Sequence, residues 1–128
     1  MKSKMKHFSS LFFYDQSSRI FLLKRKTDNG AVFEPIKAEV HDSDNADGAL
    51  IRVLRDDFNF DLKDFHFFKK YIANERVEEV FTGEFPGFNA LNVVNGAGTY
   101  SIDYALSLKI DEFYKTTVLR DLRKFVER

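Results

Sequence analysis

Two apolar blocks open the chain, His7–Tyr14 and Ile20–Leu23, separated by Asp15-Gln16-Ser17-Ser18. Runs rich in Phe, Leu and Ile on either side of four turn-forming residues predict a β-hairpin. The second run ends in Lys24-Arg25-Lys26. Asp28-Asn29-Gly30 is another turn, and Ala31–Val40 is an extended, partly apolar stretch interrupted by Pro35. The pattern then changes period. Ala46, Ala49, Leu50, Val53, Leu54 and Phe58 recur at three- and four-residue steps, which predicts a helix over 46–58. The polar segment Asp42–Gly48 offers it several N-cap side chains, and Asn59 stands where a left-handed residue closes a helix.

Beyond the helix the pattern returns to β. Phe65–Ala73 and Arg76–Phe81 flank Asn74-Glu75, and Gly83–Gly87 with Pro86 is a loop. Phe88–Val94 and Thr99–Ile110 are predicted strands around Asn95-Gly96-Ala97-Gly98. In the second of these, Tyr100, Ile102, Tyr104, Leu106, Leu108 and Ile110 alternate with more polar residues, the mark of a half-buried strand. Thr116-Thr117 can cap a terminal helix whose stripe is Leu119, Leu122, Phe125 and Val126. The sum is a β-rich α+β domain with one central and one C-terminal helix, a single unit over 1–128, with no repeat or linker dividing it.

Twenty basic residues balance twenty acidic ones among 128. Zero net charge gives no long-range field toward nucleic acid or anionic lipid, so non-specific nucleic-acid binding is disfavoured. The absence of cysteine excludes disulfides, a thiolate nucleophile and Cys-bearing metal sites. His7, His41 and His66 include no two at helical ligand spacing. Apolar runs are too short to span a bilayer, and the basic start lacks a signal peptide's apolar stretch, so a cytoplasmic protein without a membrane partner is expected. Fifteen Phe and five Tyr, with no Trp, fill a core in the simplest account; a surface that stacks bases, or a homodimer face, is the alternative.

Candidate chemistry is sparse. Asn95-Gly96-Ala97-Gly98 has the glycines of a phosphate cradle but no following Lys-Ser/Thr, and is expected to be a hairpin turn. Asp42–Gly48 has a calcium loop's composition with its ligands out of step and Val53 where the closing Glu belongs. Lys24-Arg25-Lys26 and Lys69-Lys70 suit solvated strand ends. Arg52 and Asp56, four apart, are expected to pair on one helix face. Asp56 and Asp57 on the last turn oppose the helix dipole, which points either to a divalent cation or to unselected surface acids.

Around this helix the chain resembles the Nudix hydrolases, whose box reads Gly, five residues, Glu, seven residues, Arg-Glu, an aliphatic, any residue, Glu-Glu, any residue, Gly, an aliphatic. Here the frame is Ala38, five residues, Asp44, seven residues, then Arg52-Val53-Leu54-Arg55-Asp56-Asp57-Phe58-Asn59-Phe60. Phe33 stands where the family often has an aromatic before its Pro-Gly-Gly turn. The resemblance covers residues 8–125 in element order. It implies an α/β/α sandwich on a mixed sheet, and a pyrophosphohydrolase that splits nucleoside diphosphates linked to another moiety. It also implies Mg²⁺ or Mn²⁺ on Asp56 and Asp57, Arg52 orienting those acids, and Phe33 and Asp44 on the substrate side.

The departures fall on the chemistry. Val53 supplies no oxygen where the family has a ligand Glu. Each Asp is shorter than Glu by one bond, roughly 1.5 Å, against metal contacts of about 2.0–2.1 Å. Lys37 and Ala38 replace the paired glycines. Glu34, Glu39, His41, Glu78 and Glu79 are candidates for a missing ligand or base, and spacing selects none of them. Two readings follow: a hydrolase whose activity is weak or lost, or a non-catalytic module that binds a nucleotide-like small molecule, a protein or its own copy. Selectivity would lie in Gly83–Gly87 and Asn95–Gly98.

Overall fold

Asp15 turns the chain between β1 (Lys6–Tyr14) and β2 (Ile20–Thr27). Its Oδ1 accepts the backbone N–H groups of Ser17 and Arg19, each at 2.9 Å. In the computed structural model, which describes residues 5–41, 44–73, 75–93 and 96–126, the two strands pair only at Tyr14 and Ile20 and then diverge. The gap is filled by one bent segment. β3 (Gly30–Glu34) runs antiparallel to β2, and β4 (Ile36–Glu39) antiparallel to β1. Pro35 lies between them and, lacking an N–H, has nothing to donate to a ladder at the point where the partner changes.

Following α1 (Ala46–Phe58), β5 (Phe65–Ala73) and β6 (Arg76–Glu84) pair antiparallel as expected; Asn74 lies outside the described residues. β6 runs parallel to β1 along its whole length. β7 (Ala97–Tyr100) adds to the other edge of β2. The result is one seven-stranded mixed sheet, ordered β3-β2-β1-β6-β5 with β4 on β1 and β7 on β2.

Side chains alternate across this sheet. Leu11, Phe13, Phe21 and Phe81 pack with Leu50 and Leu54 of α1. Phe12, Ile20, Leu22 and Val80 pack on the opposite face with Val118, Leu119 and Leu122 near the C-terminus. β1 and β2 are therefore buried on both faces, which is why they read as unbroken apolar runs. The α/β/α layering is the one expected. Most of the phenylalanines go into it, although Phe67 and Phe88 are more than half exposed.

The central helix has the expected bounds. Asn45 caps it, its Oδ1 accepting the Gly48 N–H at 2.7 Å. Asn59 ends it in the left-handed region at φ 51°, donating its N–H to the Leu54 carbonyl. Ser9 of β1 donates to the Ala46 carbonyl at 2.9 Å and pins the start of α1 to the sheet.

The C-terminal third departs from expectation. Phe88–Ala90 is a single tight turn rather than the start of a strand; the end of that expected strand, Val94, and the neighbouring Asn95 lie outside the described residues. Of the strand expected over Thr99–Ile110, only Ala97–Tyr100 forms. Ser101 then accepts the Tyr104 N–H and starts the short helix α2 (Ile102–Ala105). A strong N-cap overrides period-two alternation there. Ile110 keeps a lone parallel bridge to Phe33.

Ala97 and Gly98 belong to β7 and pair with β2, so they are not the expected hairpin turn. Gly96 takes φ 82°, and a Cβ on Gly98 would stand 2.6 Å from the Tyr100 hydroxyl; both glycines answer backbone and packing needs. Gly83 and Glu84 likewise extend β6 beyond the expected strand end. Thr116 and Thr117 lie inside the helical stretch that widens at Tyr114–Val118 and continues as α3 (Leu119–Val126). Their hydroxyls donate back to the carbonyls of Glu112 and Phe113, and Asp111 takes the capping role by accepting the Phe113 N–H. No described helix is long and apolar enough to cross a membrane.

Candidate functional site

The last turn of α1 and the strands β2 and β3 bound a groove of about 210 Å³. Asp57 enters it from the helix, Lys24 and Arg25 from β2, Glu34 from β3, and Asn92 and Gly96 from the segments before β7. Arg25 and Glu34 form an ion pair at 3.4 Å. Both also line a second cavity of about 260 Å³, whose other walls include Phe33, Lys37, Lys109, Ile110 and Tyr114. One ion pair thus separates two hollows.

Asp56 does not join Asp57. Successive helical positions are turned by about 100°, and the Asp56 side chain is 56% exposed and paired with its neighbour Arg55 at 3.1 Å. Arg52 does not pair with Asp56 as expected. Its guanidinium reaches back to Asp44, Nη1 to Oδ2 at 2.6 Å. That hydrogen bond, with the guanidinium charge, holds the Asp44 carboxyl below its ordinary range. Asp44 therefore braces the entry to α1. Of the residues expected on the substrate side, Phe33 lines the second cavity, set edge-on against Tyr100, whereas Asp44 lines neither hollow.

Val53 is half-buried and packs against the apolar cluster beneath α1. Among the described residues, no three groups of the His, Asp or Glu type come together as a metal cluster. A set of three helix carboxylates does not fit this surface, because one position is a valine and another faces away. Asp57 and Glu34 line the same groove, and Mg²⁺ commonly takes one or two carboxylates and completes its shell with water and phosphate.

Of the other acids, Glu78 is wholly buried, accepting Ser10 Oγ at 2.8 Å and the Arg76 guanidinium. Glu79 pairs with His7 at 2.7 Å. Neither lines the groove, which leaves Glu34 as the candidate acid that does.

No protein-family profile and no curated protein matches the sequence. Solved structures do match. A MutT protein from Methanosarcina mazei Go1 superposes with a TM-score of 0.73 at 11% identity, over 98% of this chain and 98% of that one. A MutT/Nudix family protein from Listeria innocua gives 0.71 at 13% identity, over 98% and 96%. An Ap4A hydrolase from C. elegans gives 0.67 at 13%, over 95% and 98%. This chain has the Nudix fold.

Within the Nudix fold the helix carrying Arg52, Asp56 and Asp57 is the one the sequence frame points to, and its C-terminal turn opens on the groove. Sequence reasoning missed the cationic residues of the groove and of the second cavity. Lys24-Arg25-Lys26 has the composition of a solvated strand end, and nothing local reveals that Arg25 will lie against Glu34. Lys37 stands out only as a departure from paired glycines, and it is seated over the Phe8 ring at 4.9 Å. Lys109 and Tyr114 were hidden because the alternation before them suggests a strand rather than a helical turn followed by a bridge.

Proposed function

We propose that this Nudix-fold chain belongs to the Nudix superfamily and binds a nucleotide-like small molecule through its phosphates, with hydrolysis weak or lost. The observation that carries this reading is the groove itself. Lys24 and Arg25 offer cations to a phosphate chain, and Asp57 with Glu34 can share one Mg²⁺ or Mn²⁺ with it, but Val53 is core packing where a further oxygen ligand would have to be. Arg52 is occupied with Asp44 and Asp56 is turned to solvent, so the groove is better equipped to hold a diphosphate than to activate water against it. One structural neighbour is named an Ap4A hydrolase, which supports including dinucleoside polyphosphates among the ligands tried.

The test is calorimetry and phosphate release on one panel: nucleoside di- and triphosphates, ADP-ribose, nucleotide sugars and a dinucleoside polyphosphate, each with Mg²⁺ or Mn²⁺. Binding that falls at least tenfold in Arg25→Ala, with little turnover, is the expected result. Rapid turnover abolished by Asp57→Asn would make the chain a working hydrolase. Absence of binding to every member of the panel would overturn the reading.

A further inference from the structure

The sheet ends, on the side away from the groove, in a long edge strand. β5 is last in the strand order and lines neither hollow. Among the described residues, no backbone hydrogen bond reaches Phe65–Ala73 beyond its ladder with β6. Alternate N–H and C=O groups along its outer side are therefore open for pairing. Edges are commonly kept short, and an ordinary strand runs about five or six residues; β5 runs nine.

Its side chains are as unusual as its length. Phe67, Lys70 and Ile72 stand opposite Phe81, Glu79 and Val77 in the ladder, on the face that carries α1. Phe67 and Ile72 are left uncovered there, 55% and 67% exposed. The charge is one-sided: β5 contains His66, Lys69 and Lys70 and no acid. Lys69 is held by Asp121 on the other face. Lys70 forms no ion pair among the described residues, and the carboxylate opposite it, Glu79, is bonded to His7. Arg120, exposed and near enough to act electrostatically on Asp121 and Tyr71, adds another cation beside the strand. A second copy is a poor occupant. Two β5 strands paired antiparallel about their centres would set the lysines of the copies against each other, and like charges directly opposite are destabilising.

We propose that β5 is a docking edge for an extended acidic segment of another protein, apolar at every second residue, which joins the sheet as a further strand. Its backbone completes the open groups of β5, the usual source of affinity in strand addition, and its side chains supply the specificity. Branched apolar residues lie against Phe67 and Ile72, and carboxylates come within reach of Lys70 and Arg120. The proposal is independent of the groove at Asp57, so nucleotide and segment should bind together.

The experiment uses three synthetic peptides of the strand's length, with Val or Ile at alternate positions and Glu, Ser or Lys at the rest. Each is titrated into the full chain by fluorescence anisotropy, and amide hydrogen exchange is followed by NMR. The Glu peptide is expected to bind most tightly, to weaken as salt rises, and to protect amides of Phe65–Ala73 that exchange freely without it. Ile72→Ser, at an exposed position, should keep the wild-type melting temperature and weaken the Glu peptide by about tenfold through lost apolar burial. Lys70→Glu combined with Arg120→Glu should reverse the preference toward the Lys peptide. Equal affinity for the Glu and Lys peptides, or no binding of any peptide, would overturn the proposal. So would binding of the Glu peptide without protection of β5 amides, which would mean charge attraction without strand addition. An oligouridylate that binds the same residues as tightly would make the patch a general anion surface, and protection of β5 by self-association alone would make its occupant a second copy; either result refutes the assignment.

Discussion

Arg52 turns its guanidinium toward Asp44, two residues ahead of the first residue of α1, and not toward Asp56 one turn further along. The contact ties the chain entering the helix to the helix body. Because Asp44 is held below its ordinary pKa chiefly by this bond, Arg52→Ala is expected to return its carboxyl toward the ordinary aspartate range. Carbon-detected NMR titration of the Asp side chains reads this directly, and an unchanged Asp44 titration would refute the pairing. The pair is only partly covered, so the melting temperature should move little.

Val53 and Asp57 are four residues apart on one helix face. Placing a carboxylate at the first position, Val53→Glu, should therefore tighten Mn²⁺ binding, measured by calorimetry or by electron paramagnetic resonance of the free ion. The gain should disappear in the double variant with Asp57→Asn. If Mn²⁺ affinity is the same with valine and glutamate, position 53 does not face the groove, and its placement in the hydrolase frame is wrong.

Asn59 holds φ 51° at the end of α1. Glycine tolerates that region freely and β-branched residues do not. Asn59→Gly should leave stability within a few tenths of a kcal/mol, whereas Asn59→Val should cost about 1–2 kcal/mol. Urea melts of the two variants separate the outcomes; equal losses would mean the left-handed cap is not the reason for asparagine here. Truncating the fully buried Leu54 to alanine removes core packing instead, at a cost of roughly 2–5 kcal/mol.

Asp121 accepts the Tyr71 hydroxyl at 2.7 Å and Lys69 Nζ at 3.0 Å, joining α3 to β5. The Tyr71 bond, then Lys69, lowers its pKa from 3.8. A carboxyl whose folded pKa lies below its unfolded one stabilises fully above the unfolded value and ceases to do so as pH falls through the folded value. Asp121→Asn should thus melt lower than wild type at pH 7, with the gap closing below about pH 4. A gap that is constant down to pH 2 would contradict this.

How much of this was legible depends on how local the cause is. The bounds of α1 were written in its three- and four-residue spacing, in Asn45 and in Asn59. The bent strand announced itself through Pro35. Residues 99–110 misled because alternation of period two and a helical turn bury similar positions over so short a run, and Ser101 decides between them. The two hollows were half legible: Asp57 sits in a recognisable frame, but Arg25, Glu34, Lys109 and Tyr114 come from four separate stretches that only the fold brings to the hollows. The orientation of Asp56 could not be read at all, since adjacent acids look equivalent until the helix is seated on its sheet.

The parallel ladder between β1 and β6 joins segments far apart along the chain, as the 68-residue separation of Ser10 and Glu78 illustrates. Loop closure over such a span comes before any reward from the contacts it allows, and topologies dominated by remote pairings fold slowly. While the polypeptide is being synthesised, the first strand must wait, its apolar side chains unsheltered, until the sixth has emerged. The chain is therefore most vulnerable to self-association before it is complete, and its early Phe-rich segment is where a chaperone would have most to cover.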